Sequence, residues 1–177
     1  MLRIEGDIRK FWRFKRMVVM NEQDSLHLLL GAWSGTGRGE FPTIEPFEYL
    51  ETLRFSSDGR PFLHYEEKTQ RRKPGQTDYV PSHWESGFIR LLPDGQVELI
   101  NTQNGGRLEK LTGSLEQTTS GMILHLSSES ILNDPRMSET SRMIILEGDT
   151  LRYTQSMGTT AVPELTYHVE ATLKRVS

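Results

Sequence analysis

Cysteine is absent from the sequence. Disulfides, thiolate nucleophiles, zinc ribbons and iron–sulfur clusters are therefore excluded, and any metal must be held by histidine, carboxylate, tyrosine or methionine. A cysteine-free chain suits a reducing compartment, and a cytoplasmic location is expected. A basic excess is also lacking. Lys and Arg number 21 against 24 Asp and Glu, a formal charge of −3, so no nucleic-acid partner is expected. No stretch approaches the ~18 apolar residues a membrane helix needs, so no integral membrane segment is expected. Internal repeats and low-complexity tracts are missing. "SGTGRG" (34–39) has no general base at a recognisable offset and no Lys-Ser/Thr for a phosphate loop. "HWE" (83–85) is not an H-E-x-x-H zinc motif.

What remains is a chain of 177 residues, 35% apolar and 25% charged, a size and balance suited to one folded domain with a real core. Residues 1–25 stand apart as an N-terminal extension, disordered or marginally helical. Ile4, Ile8, Phe11 and Trp12 can share a helical face among basic residues, and such an arm can also lie on an anionic membrane. From Leu26 onward the signal is β. Turn chemistry recurs at "SSDGR" (56–60), "LPDGQ" (92–96), "QNGGR" (103–107), "TTSGM" (118–122), "NDP" (133–135) and "EGDT" (147–150). Between these turns the apolar residues alternate. Phe47, Tyr49, Leu53 and Phe55 point one way, with Glu51 as the exception; Leu165, Tyr167, Val169, Ala171 and Leu173 share a face near the C-terminus. Regular short strands with few helical windows predict an all-β antiparallel barrel or sandwich over residues 26–177. The middle of "EEKTQRRKPGQTDY" (66–79) is read as a long loop, with Glu66, Glu67 and Asp78 as solvated charge. In "GAWSGTG" (31–37) the glycines let a strand bend or another backbone approach, and Trp33 can plug the closed end of a barrel.

Taken together, "GAWSGTG" (31–37), "FPTIEPFEYLETLRF" (41–55), "GRPFLHYEEKT" (59–69), "PSHWESGFIRLLPDGQVELI" (81–100) and "YHVEATLKRV" (167–176) resemble the nitrobindin family in order and spacing. The region 107–150 is the vaguest part of the likeness. The resemblance implies a ten-stranded antiparallel β-barrel, lipocalin- or fatty-acid-binding-protein-like, with one non-covalent haem b in a cleft at its mouth. It implies His168 as the axial iron ligand, isomerisation of peroxynitrite to nitrate on ferric haem, and binding of nitric oxide. It also implies that Thr43, Ile44, His83, Gln103 and Met157 border the cofactor. A monomer or homodimer is expected.

The bland readings stay open beside these. By strict alternation His168 shares the wetter face with Thr166, Glu170 and Thr172; a barrel-mouth position or a nearby β-bulge reconciles that with a cleft. His83 either lines the distal side or is a turn histidine bonded to Glu85 or backbone. Thr43 either bonds to a ligand or closes a turn, and Met157 either walls the cavity or fills the core. His64 reads as structural; His27 and His125 have no supporting context. The alternative function is a lipocalin-like carrier of a fatty acid or similar apolar ligand, without iron chemistry.

Overall fold

The computed structural model describes residues 22–176, with side chains from Ser25 onward; the expectations for the first 21 residues lie outside them. A short helix, α1 (Glu22–His27), precedes ten strands, so α1 straddles the expected 25/26 boundary. The strands are β1 (Gly31–Phe41), β2 (Ile44–Ser56), β3 (Phe62–Arg72), β4 (Val80–Leu91), β5 (Val97–Gln103), β6 (Leu108–Gln117), β7 (Gly121–Leu132), β8 (Met137–Glu147), β9 (Thr150–Thr159) and β10 (Thr166–Arg175). Each pairs antiparallel with its chain neighbours, and β1 pairs with β10, so the sheet closes into a barrel without free edges. This is the expected ten-stranded antiparallel barrel.

The turns fall where the sequence places them, and four carry a glycine at positive φ: Gly59, Gly95, Gly106 and Gly148. Asn133 of "NDP" takes the same left-handed conformation, which asparagine tolerates better than most residues. The expected loop within 66–79 is shorter than the sequence suggests. Strand β3 continues through Arg72, because its polar residues alternate between solvent and a polar interior. Glu67 is accordingly buried, not solvated.

The glycines of β1 explain how the barrel curves. Trp33, Gly35, Gly37 and Gly39 have the same parity. A Cβ on Gly35 would lie 2.1 Å from the backbone oxygen of Thr172, and one on Gly37 would lie 2.1 Å from the ring of Tyr49. Glycine lets β10 and the Tyr49 phenol close on β1. Trp33 is fully buried and donates its Nε1–H to the Leu29 carbonyl at 2.8 Å. The Arg175 guanidinium lies 4.1 Å over the indole and donates to the carbonyls of Leu28 and Leu30 behind α1. Helix, indole and last strand thus seal one end, and Leu26, Leu29, Leu63, Ile89, Leu151 and Leu173 pack behind the seal. Toward the other end the interior turns polar.

Candidate functional site

His168 reaches the open end through a bulge. Along β10 and β9, Tyr167 pairs with Ser156 and Val169 with Gln155, so His168 is the extra residue. The bulge breaks the alternation that put Tyr167 inward and His168 outward. His168 and Val169 both border a cleft of about 240 Å³, while Tyr167 borders a separate groove beside Arg38 and Pro74. Of the two arrangements reconciling His168 with a cleft, the bulge and the mouth position are both present.

The imidazole is fixed on three sides. Its Nδ1 lies 3.3 Å from the backbone oxygen of Glu40, in β1, and donating that N–H leaves Nε2 with a free lone pair. Phe41 and Phe47 stand edge-on to the ring at centroid distances of 5.8 and 6.2 Å. Burial pushes the His168 pKa down; the Glu40 carbonyl opposes this, and the charges of Arg107 and His83 add to it. A neutral, oriented imidazole with one open nitrogen is the form that binds a metal.

Ile44, Phe47 and Tyr49 of β2, Thr69 of β3, Ser82 and His83 of β4, and Gln103 at the end of β5 border the same cleft. His83 Nε2 lies 3.2 Å from Glu85 Oε2. Burial disfavours the imidazolium, but the bond to Glu85 and the charges of Glu67 and Glu85 outweigh it and raise the pKa. Four of the six residues expected around the site, His168, His83, Gln103 and Ile44, therefore meet in one place. Thr43 is exposed in the turn between β1 and β2, outside the cleft's lining. Met157, half-buried opposite Thr140 and Thr166, is also outside it. His64 sits in β3 with its Nε2 2.8 Å from Ser86 Oγ; His27 and His125 are exposed.

The cleft's floor is a charged network that sequence reasoning missed. Arg142 of β8 donates to Glu85 Oε1 and Oε2 at 2.5 and 3.0 Å and to Glu109 Oε2 at 3.0 Å. Burial works against an ionised Glu85, but Arg142 and the bond from His83 hold it below the usual carboxylate range. Tyr65 donates to Glu85 at 2.7 Å. Glu51 lies 2.5 Å from the Tyr153 hydroxyl, which lies 3.0 Å from that of Tyr49. Burial pushes Glu51 up to about 8, the bond to Tyr153 opposing and the charge of Glu85 assisting. Glu67 is likewise raised, by burial and then by Glu51 and Glu85. Of this network the sequence offered Glu51, as the polar break in an inward-facing row, and Glu85, as a bonding partner for His83 that the structure places at 3.2 Å.

A larger depression of about 760 Å³ follows the wall around β1, β9 and β10, past Arg38, Arg152 and Glu170, but no histidine borders it. Among the described residues, no group of three or more His, Asp or Glu is arranged to hold a bare metal ion. A metal at His168 would need its remaining ligands from a cofactor.

Residues 22–175 match the family described as THAP4-like, heme-binding beta-barrel domain. "Peroxynitrite isomerase 2" of Mycobacterium ulcerans is 39% identical over 157 residues, covering 87% of this chain and 94% of the relative. A relative from Arabidopsis thaliana, also named a peroxynitrite isomerase, is 36% identical over 85% of this chain and 87% of its own length. The solved structure of Rv2717c from M. tuberculosis superposes with a TM-score of 0.79 at 34% identity, covering 89% of this chain and 99% of that one. The S-type phycobiliprotein lyase CPES of Guillardia theta shares the fold alone, at 10% identity and a TM-score of 0.57.

Proposed function

We propose, from the premise that the chain belongs to the family of THAP4-like, heme-binding β-barrel domains, that it holds haem b in the cleft through His168 and isomerises peroxynitrite to nitrate. The observation that carries this is the β10 bulge, which turns His168 into the mouth with Nδ1 occupied by Glu40 and Nε2 free. The residues fit the group. Haem iron is commonly held by a neutral imidazole, and His168, its ring flanked by Phe41 and Phe47, would be the residue to hold it. The cleft is small beside the roughly 300–1,000 Å³ of pockets that bury a ligand almost wholly. The cleft alone would not enclose a macrocycle. When bound, ferric haem would supply a Lewis acid for the isomerisation, in which the peroxo O–O bond of peroxynitrite gives way to a third N–O bond of nitrate with no net gain or loss of electrons.

The chain's own residues do the rest. The Glu40 carbonyl keeps the His168 tautomer that presents Nε2. Phe41 and Phe47 keep water from the imidazole. His83 and Arg107 set positive charge at the rim, where an anion enters. The same access admits nitric oxide, which we include in the proposed activity. The polar lining, with Glu67, Thr69, Glu85 and Gln103, argues against a carrier of apolar ligands, whose cavity would be lined mainly by hydrocarbon.

The test is the decay of peroxynitrite with the haem-loaded chain and with its His168→Ala variant. Faster decay with a raised nitrate yield, lost in the variant, is expected. Decay no faster than with free haem would refute the activity.

A further inference from the structure

The acids in the cleft's floor outnumber the cations available to them. Glu51, Glu67, Glu85 and Glu109 are all buried, against Arg142, the one buried guanidinium among the described residues, and two less buried groups, Arg107 at 3.3 Å from Glu109 and His83 at 3.2 Å from Glu85. Arg142 spends both terminal nitrogens on Glu85 and Glu109. Among the described residues, no hydrogen bond or ion pair reaches the carboxyl of Glu67. Its register makes a negative charge worse: Glu67 lies directly opposite Glu85 across β3 and β4, and Glu85 lies opposite Gln103 across β4 and β5. Like charges directly opposite repel. Glu85 is committed to Arg142; the charges of His83 and Arg142 favour an anionic Glu67, but burial and the charges of Glu51 and Glu85 outweigh them and push its pKa up.

A count of hydrogens in the neighbouring chain of hydroxyls bears on Glu51, the acid beside Glu67. Glu51 to Tyr153, Tyr153 to Tyr49, and Tyr49 to the backbone oxygen of Glu170 are three hydrogen bonds, of 2.5, 3.0 and 2.9 Å. Two tyrosines supply two hydrogens, and a carbonyl supplies none. With Tyr153 donating to Glu51 and Tyr49 to Glu170, no hydrogen is left for the contact between the two hydroxyls; all three are filled when a protonated Glu51 donates to Tyr153 instead. The other Glu51 oxygen, Oε1, is buried without a partner, a cost that a neutral acid bears far better than a carboxylate.

Gln103 supplies an independent observation. It is 9% exposed, it borders the cleft, and its Nε2 has no hydrogen-bond partner. A buried amide donor without an acceptor marks a place where something else accepts.

We propose that Glu67 is a neutral carboxylic acid at neutral pH and that its O–H and the free amide N–H of Gln103 form a donor site for an oxygen of a small oxyanion in the cleft. For the ligand's identity the proposal rests on the peroxynitrite reading; for the protonation of Glu67 it does not. The floor grips the anion by donated hydrogen bonds, and Arg71 and Arg107 border the same cleft. An ionised Glu67 would repel the same anion. The groups facing Glu67 are Tyr49 and Glu51 from β2, Tyr65 and Thr69 from its own strand, and His83 and Glu85 from β4. Arg71 further along β3, Gln103 of β5, Arg107 after it, Arg142 of β8, Tyr153 of β9 and His168 of β10 also border the cavities that Glu67 lines.

The experiment titrates nitrite, as an oxyanion probe, into the haem-loaded full chain from neutral to alkaline pH. Glu67→Gln keeps a neutral donor: its affinity should stay within about twofold at neutral pH and lose the alkaline weakening that Glu67 ionisation causes. Glu67→Ala should bind about tenfold more weakly, the worth of one lost hydrogen bond to an anion. A Gln variant as weak as the Ala variant, or an unchanged pH profile, would overturn the proposal. Infrared spectra of the chain with 13C-labelled glutamate, taken with and without haem, read the proton directly. A protonated carboxyl band at neutral pH that Glu67→Gln removes is expected; its absence overturns the proposal even where His168 proves not to bind haem.

Discussion

Arg142 on β8 grips Glu85 on β4 across the barrel interior with hydrogen bonds of 2.5 and 3.0 Å, both side chains almost wholly buried. Fifty-seven residues separate them in sequence. The pair organises the site: it fixes Glu85 as an anion, lets Glu85 hold His83, and leaves Glu67 without an ion pair of its own.

Removing one partner should therefore be severe. Arg142→Met takes the guanidinium from two buried carboxylates, Glu85 and Glu109, and should cost at least about 3–5 kcal/mol in urea unfolding. Adding Glu85→Gln should recover most of the loss, since replacing both charges is far cheaper than removing one. A single variant within about 0.5 kcal/mol of the wild type would show that the pair is not closed in solution.

Stability should also depend on acid through Glu85. Its folded pKa is lowered below the unfolded carboxylate value of 4.5. The stabilisation is then present above that value and lost as pH falls toward the folded pKa. Equilibrium unfolding below pH 4.5 checks this: Glu85→Gln should flatten the acid-side decline, and an unaltered slope would contradict it.

Glu51 works in the opposite direction. Its folded pKa stands at about 8 against 4.5 unfolded, so unfolding between those values releases a proton. Stability from this group is complete below 4.5 and declines by about 1.4 kcal/mol per pH unit until pH reaches the folded value. Glu51→Gln should gain on the wild type steadily across that window. Parallel curves for the two proteins would mean that Glu51 ionises normally.

Gly35→Ala tests how β1 closes on β10. The added methyl carbon would meet the Thr172 carbonyl oxygen at 2.1 Å and the Leu173 Cα at 2.8 Å, both backbone atoms that cannot rotate away. A loss of about 1–3 kcal/mol, the usual cost of overpacking, is expected in thermal or urea unfolding. A neutral substitution would show that the strands lie farther apart.

Much of the fold was legible because its signals are local. Asp-Gly and Asn-Gly pairs mark turns, alternation marks strands, and the glycines around Trp33 mark a tight bend. The site was legible only in part, because its geometry comes from pairing. Nothing around "TYHVE" announces the bulge that turns His168 inward; it arises from the register of β10 on β9. Glu67, in the run "YEEKTQ", has the sequence context of a solvent-facing residue. Its burial depends on β4 beside it and on Arg142, 75 positions later, in the stretch where the family likeness was vaguest. Thr43 has the composition of a ligand-facing residue, yet "PT" closes the β1–β2 turn and leaves it in solvent.

The bond between His168 and a haem iron is the central claim, and spectroscopy of the reconstituted chain tests it most directly. Wild-type protein should give an intense Soret band with one axial histidine. His168→Ala should lose that signature and bind haem far more weakly, and added imidazole should restore the spectrum by filling the vacated space beside Glu40. A variant that takes up haem with unaltered affinity and an unaltered spectrum would place the iron elsewhere and contradict the account.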